Sequence, residues 1–126
     1  MMANKFLAEV EAEEFGTGYT IRLDMDGMAR LETEHGEFDF AHKLQYGLAL
    51  LSAKYLKSFL SVALRDANGN VVKTYDMPLP LANVGRKCLD AFSLFRYGKD
   101  HETWTAEAAK AEKKAGTENP TKGTKA

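Results

Sequence analysis

Between Ala41 and Arg65 the chain reads AHKLQYGLALLSAKYLKSFLSVALR, the one segment long and apolar enough to serve as the spine of a core. Leu44, Leu48, Leu51, Tyr55, Phe59 and Val62 follow one another at steps of three or four residues, the spacing that stacks side chains on one face of a helix. Leu56, Leu60, Ala63 and Leu64 widen this stripe in the second half, which predicts a single long helix covered on more than one side. Burying the stripe at roughly 1.5 to 3 kcal/mol per residue gives on the order of 10 kcal/mol gross, an upper bound because chain ordering opposes it.

The opposite side of this helix carries Lys43, Lys54, Lys57 and Ser61, and Tyr46 and Leu50 interrupt it. An apolar pair on a polar face has two readings. It is covered by another part of the same fold, or it is an exposed patch where a partner helix docks.

Upstream, Lys5 to Glu13 alternates, with Phe6, Ala8, Val10 and Ala12 on one face and Glu9, Glu11 and Glu13 on the other, the period of a half-buried strand. The turn Phe15-Gly16-Thr17-Gly18 follows, after which Tyr19, Ile21 and Leu23 resume the alternation, so a β-hairpin is expected. At Leu23 the period changes to about 3.6. Asp24 stands at a helix N-cap position, Leu23 and Met28 have the spacing of a hydrophobic staple, and Gly36 suits a left-handed stop, which predicts a helix over Met25 to His35. Asp39 is placed to cap the long helix, with Phe38 and Phe40 as plugs into the core.

Asp66-Ala67-Asn68-Gly69-Asn70 has strong turn chemistry. Val71 to Tyr75 then either pairs back on Val62 to Arg65 or runs on as a connection. The connection is expected, because the helical stripe reaches Val62 unbroken. Pro78 and Pro80 bar helix through Met77, and a last helix spans Leu81 to Tyr97, with Leu81, Val84, Cys88, Phe92 and Phe95 on one face, Leu89 beside them, and Gly98 as its stop. Beyond Gly98 the composition turns polar: Trp104 is the one large apolar residue, Thr105 to Ala115 has helix propensity without a core-facing stripe, and disorder is expected from Gly116. Trp104 anchors this tail either to the fold or to a partner. The expected architecture is therefore α+β: an N-terminal antiparallel hairpin on a three-helix domain over residues 1–98, with a flexible tail over 99–126.

A chain of 126 residues with 44% hydrophobic content supports one modest core. No run reaches the roughly 18 apolar residues of a membrane helix, and the start MMANKF lacks the blocks of a signal peptide, so a soluble intracellular protein without membrane contact is expected. The net charge of −1 conceals a residue 1–40 segment at −7, a 41–98 segment at +5 and a tail at +1. Lobes of opposite sign attract within a fold or between copies, which leaves self-association open; a solvated surface is the commoner case.

No catalytic constellation is visible. His35, His42 and His101 are scattered, and Asp24-Met25-Asp26-Gly27 lacks the later ligands of a calcium loop and reads as helix capping. Cys88 is a lone core thiol, which excludes an intramolecular disulfide. The basic residues of the middle segment are few and lack the interleaved exposed aromatics of a stacking platform, so nucleic-acid binding is not expected. No cofactor or metal is predicted, and the candidate functional residues are those of a partner surface: Lys43, Tyr46, Leu50, Lys54 and Trp104.

The hairpin followed by TIRLDMDGMARLETEHG resembles the opening of phage tail assembly chaperones, small proteins encoded among the tail genes of siphophages and gene transfer agents. Their pattern is an aromatic-bearing strand that runs into Asp-Met-Asn-Ala, a short helix with a Leu-Glu pair and a glycine stop. Tyr19, Asp24, Met25, Leu31, Glu32 and Gly36 match it, Asp26-Gly27 replaces Asn-Ala, and the Asp66 to Pro80 insert is longer than the pattern. The likeness extends over residues 5 to 97. It implies a non-enzymatic protein of the host cytoplasm that binds the tape measure protein, with other tail proteins as further partners, keeps its apolar helices from aggregating and is absent from the finished virion. A structural tail completion or connector protein, retained in the virion, is the alternative.

Overall fold

The computed structural model describes residues 3–4, 9–36 and 40–118. The expected hairpin is present as strands β2 (Glu9–Glu11) and β3 (Thr20–Arg22), joined through a 3-10 turn over Glu13–Phe15. Phe6 and Ala8 of the expected first strand, with Phe38 and Asp39, lie outside the described residues. The hairpin is extended on both sides, by β1 (Ala3–Asn4) on β2 and by β4 (Leu64–Arg65) on β3, giving an antiparallel sheet in the order β1-β2-β3-β4. Register sets Val10 opposite Ile21 and Ile21 opposite Leu64, and all three are fully buried, so one face of the sheet carries a continuous apolar row.

Helix α1 (Met25–His35) has the predicted ends. The Asp24 carboxylate accepts from the Gly27 amide at 2.8 Å, and Gly36 takes the left-handed conformation (φ 68°) that a glycine enters without steric cost. The same carboxylate receives Nη2 of Arg65 at 3.0 Å, which ties the start of α1 to β4. The last core helix, Leu81–Tyr97, also has its predicted bounds, opening at Pro80 and closing at Gly98. Val84, Cys88, Leu89 and Phe92 are buried on it, and Lys87 pairs with Glu14 of the 3-10 turn. Burial raises the Glu14 carboxyl, but its bonds, with Lys87 foremost, outweigh that and hold it below the usual carboxylate range.

The predicted single long helix is two helices, α2 (Phe40–Ala49) and α3 (Ala53–Ala63), and the Leu81–Tyr97 helix is therefore α4. Leu51 at the break has a positive φ of 59°, and the Ser52 amide donates back to the Gly47 carbonyl at 2.9 Å. The break leaves the apolar faces of both halves on one core. Close approach makes it possible. A Cβ on Gly47 would lie 2.3 Å from the Tyr55 ring, and one on Gly85 of α4 would lie 2.3 Å from Cδ2 of Leu51. Leu44, Leu48, Phe59 and Val62 of the predicted stripe are buried, as are Leu56, Leu60, Ala63 and Leu64, while Leu51 and Tyr55 at the corner are half-buried. His35, Phe40 and Tyr55 stack across α1, α2 and α3, with the first two rings 4.3 Å apart.

The chain leaves α3 directly into β4, so Leu64 and Arg65 are strand rather than helix. The Asp66 side chain then accepts from the amides of Asn68 and Asn70 and closes the turn, Val71 bridges back to Arg65, and the Val72 amide donates to Leu64 at 2.8 Å. The pairing stops there. Residues 73–80 run on as the expected connection, so both alternatives hold in part. After Gly98 a fifth helix, α5 (His101–Glu118), includes the Thr105 to Ala115 stretch and continues through Gly116, where disorder was expected; residues 119–126 lie outside the described ones. The class is α+β, with four helices and not three packed before Gly98. No helix among the described residues is long and apolar enough to cross a membrane.

Candidate partner-binding site

Helix α2 buries Phe40, Leu44, Gly47 and Leu48, and the helical period turns Lys43, Tyr46 and Leu50 to the other side. Tyr46 is 70% exposed and Leu50 62% exposed. The Leu50 amide still donates to the Tyr46 carbonyl at 3.0 Å, so the helical turn that presents the pair is intact up to the break. Neither the hairpin nor α4 covers them. Lys54 is exposed too, but the break moves it onto α3, where its ammonium lies 5.7 Å from the Tyr55 ring centre. Lys43, Tyr46 and Leu50 therefore share one helical face, and Lys54 follows them around the corner.

Trp104 belongs to another part of the surface. Its ring stacks on Tyr97 at the end of α4, with centroids 4.6 Å apart and planes 12° from parallel, so it anchors α5 to the fold. Arg96 lies over the Tyr97 ring at 5.4 Å from its centre, and Lys99 pairs with Glu107. The Asp90 carboxylate accepts from the His101 amide at 3.2 Å and Asp100 accepts from Thr103 at 2.7 Å, which satisfies amides at the start of α5. Burial pushes the Asp90 carboxyl above the usual range and the nearby Asp100 charge adds to it, against the bond from His101.

The interior reactive groups are shut away. Cys88 is fully buried, and burial pushes its thiol well above the ordinary range, so it is held as a thiol. Among the described residues no group of three or more His, Cys, Asp or Glu side chains is placed to hold a metal ion.

A groove that sequence reasoning missed, of about 510 Å³, runs between α3 and the connection after β4. Tyr75, Met77 and Leu81 supply apolar surface to it, with the fully buried Leu56 also in its lining, and Lys57 and Lys73 line it too. The available signal was the alternation of Tyr75 and Met77, which pack on the core, with the exposed Thr74 and Asp76. Compared with protein-family models, with curated proteins and with solved structures, the chain matches none.

Proposed function

We propose that this protein is a non-enzymatic assembly chaperone of the phage tail type, which binds the tape measure protein in the host cytoplasm and keeps it soluble until the tail is built. The observation that carries the reading is the uncovered pair Tyr46 and Leu50, an i, i+4 apolar step on a helix whose other face is core. An amphipathic helix docks on such a pair by laying its own apolar stripe across it. Aromatic anchors of this kind dominate the energy of protein interfaces, while rim lysines such as Lys43 and Lys54 contribute mainly to the rate and orientation of encounter. The sequence likeness over Tyr19 to Gly36 supports the client, and the alternation of strand and capped helix that underlies it is formed by β3 and α1.

Co-expression with the tape measure protein of the same tail gene cluster tests the proposal. The two should co-purify, and the soluble yield of the tape measure protein should rise. Tyr46→Asp should weaken co-purification by about tenfold or more, the scale of a lost interface anchor, and leave the unfolding free energy within about 0.5 kcal/mol of the parent, as befits an exposed site. If the client neither co-purifies nor gains solubility, the chaperone reading fails. Detection of the protein in purified virions by mass spectrometry would favour a tail completion or connector protein instead.

A further inference from the structure

The groove between α3 and the connection after β4 changes character along its length. Ser61 and Lys73 stand at one end, where it opens into a second notch of about 360 Å³ lined by Arg30, Thr33 and Glu34 of α1. From that junction both walls run the same way: α3 passes back through Lys57 to Ala53, and the connection passes forward through Thr74 and Tyr75 to Met77. The α3 wall spans about 12 Å, the rise of the two helical turns from Ala53 to Ser61.

Positive charge gathers at the junction. Arg30, Lys57 and Lys73 are exposed, and among the described residues none of them is paired with a carboxylate. Glu34 is the one carboxylate among the described residues that line the two cavities, so three positive charges stand against one negative. Thr33 and Thr74 add hydroxyl donors, whereas the Ser61 hydroxyl already donates to the Ser58 carbonyl at 2.6 Å. The far end is apolar: Ala53, Met77 and Leu81 line it, and no charged residue of the lining follows Lys57 in that direction.

We propose that the groove binds a single-chain anionic amphiphile, with its carboxylate at the junction among Arg30, Lys57 and Lys73 and its apolar chain laid along α3 toward Met77 and Leu81. Polarity changes along the groove and not across it, so the ligand it fits is anionic at one end and apolar at the other. The carboxylate accepts charge-assisted hydrogen bonds from the three cations, and the chain covers apolar surface without burying a polar group of its own. A neutral or cationic chain leaves the junction without a counter-charge. The groove, at about 510 Å³, is in the size range of small-molecule sites. None of these residues belongs to the Tyr46 and Leu50 face, so this site and the chaperone reading stand or fall separately.

The test titrates the full chain with decanoate below its micellar concentration, followed by calorimetry and by backbone amide shifts. Saturable binding is expected, with the shifts centred on Lys57 to Ser61 and Lys73 to Met77. Decyltrimethylammonium should bind about tenfold more weakly, and acetate, the head without the chain, should not compete. The double variant K57E/K73E, changed at two exposed positions, should weaken decanoate by about tenfold at an unchanged urea midpoint. Glu34→Gln, which removes the opposing charge, should tighten it by about twofold. The proposal is overturned by any of four results: no saturable binding, shifts centred on Tyr46 and Leu50, equal binding of the cationic amphiphile, or decanoate affinity unchanged in both variants. Binding to vesicles of anionic phospholipid without binding of monomeric decanoate overturns it too, since the junction would then read a membrane surface.

Discussion

Two corners of this molecule turn one helix against another, and they are built from opposite materials. Between α2 and α3 the corner is dry: the Tyr55 ring lies on bare Gly47, Leu51 lies over bare Gly85, and the left-handed backbone of Leu51 is held between those contacts. Between α4 and α5 the corner is polar and aromatic, with Asp90 and Asp100 on the first amides of α5 and Trp104 stacked on Tyr97. Steric closure admits few alternative geometries, so the first corner fixes where the halves of the core meet. Surface bonds exchange readily with water, so the second holds a helix that can leave without exposing the core.

The largest effect should come from adding one methyl group to the dry corner. Gly47→Ala places a Cβ 2.3 Å from Cδ2, 2.5 Å from Cγ and 2.9 Å from Cβ of Tyr55, so the base of the side chain is blocked as well as its ring. Overpacking costs roughly 1 to 3 kcal/mol, and alanine returns up to about 1 kcal/mol of helix propensity, so a net loss of about 1 to 2 kcal/mol is expected in urea melts. Gly85→Ala meets chiefly the Cδ2 tip of Leu51, which a rotamer change can move, and should come out near neutral. If the two cost the same, Leu51 is locked, and the corner is held by that side chain as firmly as by Tyr55.

Much of the frame was legible because its signals are local. Asp24, Gly36, Pro80 and Gly98 mark helix ends by chemistry that acts within one turn, and α1 and α4 begin and end where those residues say. The dry corner was hidden because Leu48, Leu51 and Tyr55 keep the helical phase across it: both helices face the same core, and a break that preserves the phase leaves the pattern of apolar residues unchanged. A leucine at positive φ gives no warning either, since the residue usually found there is glycine or asparagine. Tyr46 and Leu50 were legible as apolar residues off the stripe. Lys54 was assigned to their face only because the break was not seen. The groove was legible on one side only: the alternation of Tyr75 and Met77 marks the wall formed by the connection after β4, and no linear pattern says that α3 forms the other.

Trp104→Ala should have a smaller and more local effect. It removes an aromatic stack worth roughly 0.5 to 1.5 kcal/mol together with some buried area. Hydrogen exchange in α5 should quicken by about tenfold or less, while the urea midpoint of the rest stays in place. A matching fall in that midpoint would show that α5 melts with the core, and the contrast between the corners would vanish.

The smallest expected effect lies in the protonation of Asp90. Its carboxyl is raised first by burial and further by the Asp100 charge, while the His101 amide and the His101 and Arg86 charges pull the other way and only partly offset this. A carboxyl raised in the folded state keeps its proton longer than in the unfolded chain, so its contribution is fully present below the ordinary carboxylate range and is lost as pH rises through the raised value. The fold should therefore gain from this group in mild acid relative to neutrality, read as the urea midpoint against pH. Asp90→Asn keeps a carbonyl oxygen for the His101 amide and carries no charge to desolvate. It should flatten that slope and raise the folding equilibrium constant at neutral pH by less than about threefold. If the variant keeps the parental slope, the sensitivity belongs to another group, and Asp90 serves this corner only as a hydrogen-bond acceptor.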